Sequence, residues 1–158
     1  MVFANGQTPW HHVTLVVDDT ANQMYLYLDG VSLALDSTHD GDISGTTNSA
    51  FTTDNHIFIG AKNVNNTTLS NYFLGNIRDV KLFDYALSSD QTASLYSGSY
   101  NVTPLHWWKI DEGSGATAAI EDYGTGTDVD GTGVSLAWSN GTLDLDSTLT
   151  IDATGTLS

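Results

Sequence analysis

Carboxylates dominate the residues able to do chemistry in this chain: nineteen Asp and Glu stand against four Lys and Arg. The densest oxygen-bearing stretch is Asp111-Glu112-Gly113-Ser114-Gly115, followed by Glu121-Asp122 and then Asp128 and Asp130-Gly131. A hard cation takes about six to eight oxygens from carboxylates and turn carbonyls. A structural calcium held by Asp111, Glu112 and Asp122 is therefore one expectation, and a solvated turn cluster is the other. The spacing is not that of an EF-hand, because the Asp-x-Asp-Gly at 128–131 lacks the closing Glu that such a loop requires.

Hydrolysis of a glycosidic bond needs two carboxylates converging across a cleft, about 5–9 Å apart. Asp144 and Asp146 alternate along one strand, yet no Trp flanks them. Asp111 and Glu112 are adjacent and diverge, and Glu112 and Glu121 are the only glutamates. There is no nucleophile elbow, no Gly-Lys phosphate loop and no cysteine. The chain reads as non-catalytic, with a glycoside hydrolase kept as an alternative. His11 and His12 invite a metal reading, but adjacent side chains on a strand point to opposite faces and cannot converge on one ion.

Aromatic rings supply the other chemistry, since a flat ring complements the apolar face of a pyranose. Trp107 and Trp108 face opposite ways on a strand, so one belongs to the core and the other is wet. Tyr25 and Tyr27 share the face opposite Met24, Leu26 and Leu28. That face is either a glycan-binding surface or a sandwich interior, and the interior reading is favoured because aromatics fill most such cores. Tyr25, Tyr27, Trp107 and Trp108 are the candidate ligand-binding residues.

Strands must position these groups. Val13–Val17, Met24–Leu28 and Val31–Leu35 alternate with period two, and Asp29-Gly30 between the last two is a tight-hairpin signal. Residues 36–55 read as a polar loop, His56–Gly60 as a strand and Lys62–Asn71 as a second loop. Tyr72–Phe83 reads as one long strand bent at a glycine. Ser88 and Gln91 have capping-box spacing and open a short helix that ends near Gly98. Leu105–Ile110 is a further strand. In the tail, Leu143, Leu145, Leu149 and Ile151 share one parity, which predicts a strand or strand pair with one buried face.

The composition narrows the partners. A formal charge of -15 opposes nucleic-acid backbones and anionic lipid surfaces. No stretch approaches the ~20 apolar residues that span a bilayer. Residues 1–6 show no secretory leader, and without cysteine no disulfide is available.

Several phrases carry a resemblance. Trp10-His11-His12-Val13, Leu26-Tyr27-Leu28-Asp29-Gly30, Ile57-Phe58-Ile59-Gly60 and Phe73-Leu74-Gly75-Asn76-Ile77-Arg78-Asp79-Val80 resemble consecutive signatures of laminin-G-like, concanavalin A-like jelly rolls. Phe83-Asp84-Tyr85-Ala86-Leu87-Ser88 continues the likeness, while His106 through Gly115 resembles the opening strand of such domains. The order is unusual: the opening strand follows the closing one, and the middle strands are absent. The chain thus divides into a part at 1–99 like the C-terminal half of the family and an opening-strand-like part at 100–158 with a repeat-like β tail. The two belong to one compact unit, or the second begins a neighbouring repeat.

The expectation is an all-β, two-sheet antiparallel jelly-roll sandwich with one short helix near 88–97. The resemblance implies a sandwich used for binding, in some such domains with a structural calcium. Together with the absent catalytic constellation it gives the expectation of a non-catalytic adhesion module of a cell-surface or virion protein, binding a glycan or surface protein. The alternative is a self-assembling subunit that pairs strands between copies or with neighbouring repeats.

Overall fold

The computed structural model describes residues 2–4, 9–34, 57–64, 68–99, 102–114, 119–134, 137–139, 142–145 and 148–151. The expected loop at 36–55, Asp146 and the last residues of the tail lie outside them, as do the side chains of Leu143, Asp144, Leu145, Leu149 and Ile151.

The first strands are β1 (Val2–Ala4), β2 (His11–Asp18), β3 (Gln23–Leu28) and β4 (Val31–Ser32). Asp29 and Gly30 join β3 to β4 with φ of 52° and 77°, two consecutive left-handed residues, as a tight hairpin requires. β5 (Ile57–Ile59) follows, then β6 (Lys62–Val64) and β7 (Thr68–Ser70). The last two pair with each other, so the expected loop at 62–71 contains a small hairpin. Its polar, Asn-rich sequence hides the alternation.

The expected long strand is two strands, β8 (Gly75–Arg78) and β9 (Val80–Leu82). The break falls at Asp79, whose φ is 53°, and not at a glycine. Aspartate tolerates the left-handed region better than most residues do, and one such residue redirects the chain from one sheet to another. Helix α1 (Ser89–Ser97) carries the expected capping box between Ser88 and Gln91 and closes on left-handed Gly98. After it come β10 (His106–Trp108), β11 (Ala119–Ile120), β12 (Gly131–Val134), β13 (Ala137–Ser139), β14 (Thr142–Leu145) and β15 (Thr148–Ile151).

Seven strands form one sheet in the order β13-β14-β8-β1-β2-β3-β4, and four form another in the order β11-β12-β15-β5. Every named pairing is antiparallel. The two tail strands part company: β14 pairs with β8 in the larger sheet, and β15 pairs with β5 in the smaller one. The opening-strand-like β10 pairs with β9.

Ile77 from the larger sheet and Ile59 from the smaller one share a core with Val80, Trp108, Ile110, Ile120 and Val129. The fold is therefore the expected all-β sandwich. A second cluster joins Val16 and Tyr27, on one face of β2 and β3, to Leu87, Leu95 and Val102. Helix α1 thereby covers the face of the larger sheet turned away from the sandwich core.

Candidate functional site

The site is built outward from one buried carboxylate. Asp122 bridges to Trp108 at the side of β10, and its side chain is almost fully enclosed. One oxygen lies 2.5 Å from the His106 Nδ1; the other accepts the amides of Trp107 and Gly124, each at 2.8 Å. The Val129 amide also donates to this carboxylate, at 3.2 Å. Burial by itself would raise the Asp122 pKa, but the hydrogen bonds from Trp107, His106, Gly124 and Val129 outweigh it and hold the group below the usual carboxylate range. His106 stacks on Trp108 at 5.5 Å, and the Trp108 indole donates to the Val129 carbonyl at 2.8 Å. A side chain at Gly124 would meet the Leu105 carbonyl oxygen at 2.0 Å, so the Asp122-Tyr123-Gly124 turn closes only because its third residue has no Cβ.

This clamp fixes what lies on the outer surface. Trp107 alternates with buried Trp108 and points the other way. The Tyr123 amide donates to the Trp107 carbonyl at 2.8 Å, which sets the two rings 6.3 Å apart at 61°. Lys81 is the β9 partner of Trp107 in the strand register, and its ammonium sits 4.7 Å from the indole centroid. Lys109, two residues along the same face, lies 5.0 Å from the indole and 3.5 Å from the Tyr123 ring. Two of the four basic residues in the chain thus meet at one aromatic pair.

Polar groups rim the rings. Asp79 accepts the Trp107 indole N–H at 3.1 Å and lies 3.6 Å from the Lys81 ammonium. The Tyr123 hydroxyl donates to Glu121 at 2.9 Å, and that bond raises the phenol pKa. Burial lowers the Lys81 pKa, opposed by Asp79. The arrangement sets two aromatic rings together with ammonium groups over them and carboxylates at their polar atoms, a mixture of apolar and hydrogen-bonding surface suited to a ligand with both apolar and hydroxyl-bearing sides.

The sequence candidates fare differently. Trp107 lies at this surface, whereas Trp108 is 1 % exposed and Tyr27 is 7 % exposed under α1, so neither presents a ring to a ligand. Tyr25 stays exposed on another part of the larger sheet. The candidate calcium residues have the following surroundings. Both oxygens of Asp122 are occupied by donors, and Asp111, Glu112 and Asp122 make no group able to hold a metal among the described residues. Glu112 instead accepts the Glu121 amide at 3.2 Å, and burial raises its pKa. His11 and His12 diverge as expected: His11 pairs with Asp29 at 2.8 Å, while His12 neighbours the Tyr96 ring.

Sequence reasoning missed Lys81, Lys109, Asp79 and Tyr123. The only available signal for Lys109 was its period-two spacing from Trp107. Lys81 and Asp79 become neighbours through a strand pairing that joins β9 to β10 across α1.

A laminin G family model, described as the concanavalin A-like lectin/glucanases superfamily, matches residues 4–93. No curated protein and no solved structure matches the chain.

Proposed function

The chain belongs to the concanavalin A-like lectin/glucanases superfamily, and from that membership we propose a non-catalytic adhesion module of a cell-surface or virion protein that binds a glycan across Trp107 and Tyr123. The observation that carries the reading is the ring pair held by the Asp122 clamp, with the Lys81 and Lys109 ammoniums over the rings and Asp79 and Glu121 on their polar atoms. The apolar face of a pyranose packs against ring surface beside the lysines, which move aside as needed, and its hydroxyls exchange hydrogen bonds with the ammonium and carboxylate groups. Preorganisation supports the binding role, because rings fixed in advance lose little freedom when a ligand arrives. The rim carboxylates already serve other groups, Asp79 the indole and Lys81, Glu121 the phenol, which supports recognition over bond cleavage. The proposal does not call on calcium.

A glycan panel followed by titration calorimetry tests this. Trp107→Ala and Tyr123→Ala are each expected to weaken the best glycan about 10-fold or more, the scale of a central aromatic contact. Binding that survives both substitutions, or an intact chain that binds no glycan on the panel, would overturn the reading.

A further inference from the structure

The face of β2, β3 and β4 opposite α1 has a different character from the glycan surface. Strand register places Leu15 beside Leu26, and Leu28 beside Val31. The Leu33 amide donates to the Leu26 carbonyl at 2.8 Å, which brings Leu33 into the same row. Beyond His11, which pairs with Asp29, the side chains these strands turn to that face are apolar: Val13, Leu15 and Val17, Met24, Leu26 and Leu28, and Val31. Such a surface belongs inside a sandwich, yet Leu15 is 58 % exposed, Val17 53 %, Val31 67 % and Leu33 41 %. The smaller sheet meets the larger one through Ile77 of β8, in the shared core with Ile59, and among the described residues nothing of it joins Leu15, Val17, Val31 or Leu33 in a core cluster.

Charge decides what fits there. Residues 11–34 contain no Lys or Arg but do contain Asp18, Asp19 and Asp29, within a chain of net charge -15. Two copies placed face to face would oppose acidic rims. We propose that this face docks a β-strand of another polypeptide that is apolar on one side and rich in lysine or arginine around it. Among the described strands β4 ends the seven-stranded sheet, so an incoming strand can also align along that edge.

The test uses the full chain and three synthetic peptides: alternating valine and lysine, alternating serine and lysine, and alternating valine and glutamate. Fluorescence anisotropy should show the valine–lysine peptide binding about 10-fold or more tightly than either of the others. Leu15→Ser with Val31→Ser should weaken it about 10-fold, since each removes a contact without altering charge. Val31→Ser alone serves if the double variant loses its circular dichroism signal. Leu74→Ser, exposed in the segment before β8, should change nothing, and Trp107→Ala should leave peptide binding intact whatever it does to glycans. Equal binding of the valine–lysine and serine–lysine peptides would reduce the effect to bulk charge and overturn the proposal. So would absent binding, or a concentration-dependent dimer in light scattering that Val31→Ser abolishes, which would make a second copy the occupant.

Discussion

Asp122 and Asp29 make the same two-pronged contact. Each places one oxygen on the Nδ1 of a strand-entry histidine, His106 or His11, and the other on the amide of the next residue. The sequence context is alike too, with a glycine one or two residues after the aspartate. The two clamps differ in burial, since Asp29 and His11 are partly open while Asp122 and His106 are closed off. Removing a partner from a buried pair is the costlier change. Asp122→Ala leaves three amides and an imidazole without their acceptor and is expected to cost about 3–5 kcal/mol in urea unfolding. It should also weaken glycan binding, because Trp107 and Tyr123 lose their common anchor. His12 gives a pH signature. Burial, the largest cause, lowers its pKa from 6.5 to about 4, so the unfolded chain binds a proton that the folded chain refuses. Stability is complete above 6.5 and falls as pH drops toward 4. The ring is only half-buried, so solvent screening limits the loss to about 1–2 kcal/mol. Urea midpoints at the two ends of that window should differ less in His12→Gln than in the unaltered chain; equal differences would show that His12 is not the titrating group.

At the scale of elements, the readable parts were those set by local chemistry. The hairpin at Asp29-Gly30 and the helix from Ser88 to Gly98 follow from left-handed turn residues and capping groups that act within a few positions. Ser88→Ala removes the side chain that accepts the Gln91 amide at 3.2 Å and should destabilise the fold by about 1 kcal/mol. Thermal unfolding followed by circular dichroism reads this directly. Because α1 lies over Val16 and Tyr27 through Leu95, the loss should appear in the cooperative transition and not as fraying of the helix alone. The split of the long strand at Asp79 was not readable. An aspartate in a run of apolar alternation looks like a solvent-facing position, and only the change of pairing partner shows that it turns the chain. Ile110 is a second such case: its φ is 58°, unusual for a β-branched residue, and its side chain is fully buried. Core packing against Trp108 and Ile120 offsets the backbone cost, a balance no local pattern announces.

At the scale of the whole molecule, the described residues present two surfaces of opposite kind. One is an aromatic pair with polar edges on β10 and the 121–123 turn; the other is the open apolar face of β2, β3 and β4. They lie on separate elements, so their predicted losses separate as well, Trp107→Ala affecting glycan and Val31→Ser affecting peptide. The likeness of residues 10–99 to a jelly roll was legible because its phrases are local and keep their order, and the family match over 4–93 bears it out. The same reading told that Trp107 and Trp108 diverge, since alternation is a property of any strand, but not which of them is wet. That depended on β10 pairing with β9 and on Val129 and His106 enclosing Trp108. The surroundings of Asp122 were hidden for a related reason. A carboxylate in a Gly-rich loop looks free in sequence, and only the folded chain brings a ring nitrogen and three amides onto its oxygens. Sequence alone determined the β class, the helix and its caps, the tight hairpin and the acidic charge, because each arises from neighbours within a few residues. The site itself was decided by tertiary structure: Lys81, Trp107 and Tyr123 meet through pairings between distant strands, and which pairings form depends on how the whole core packs.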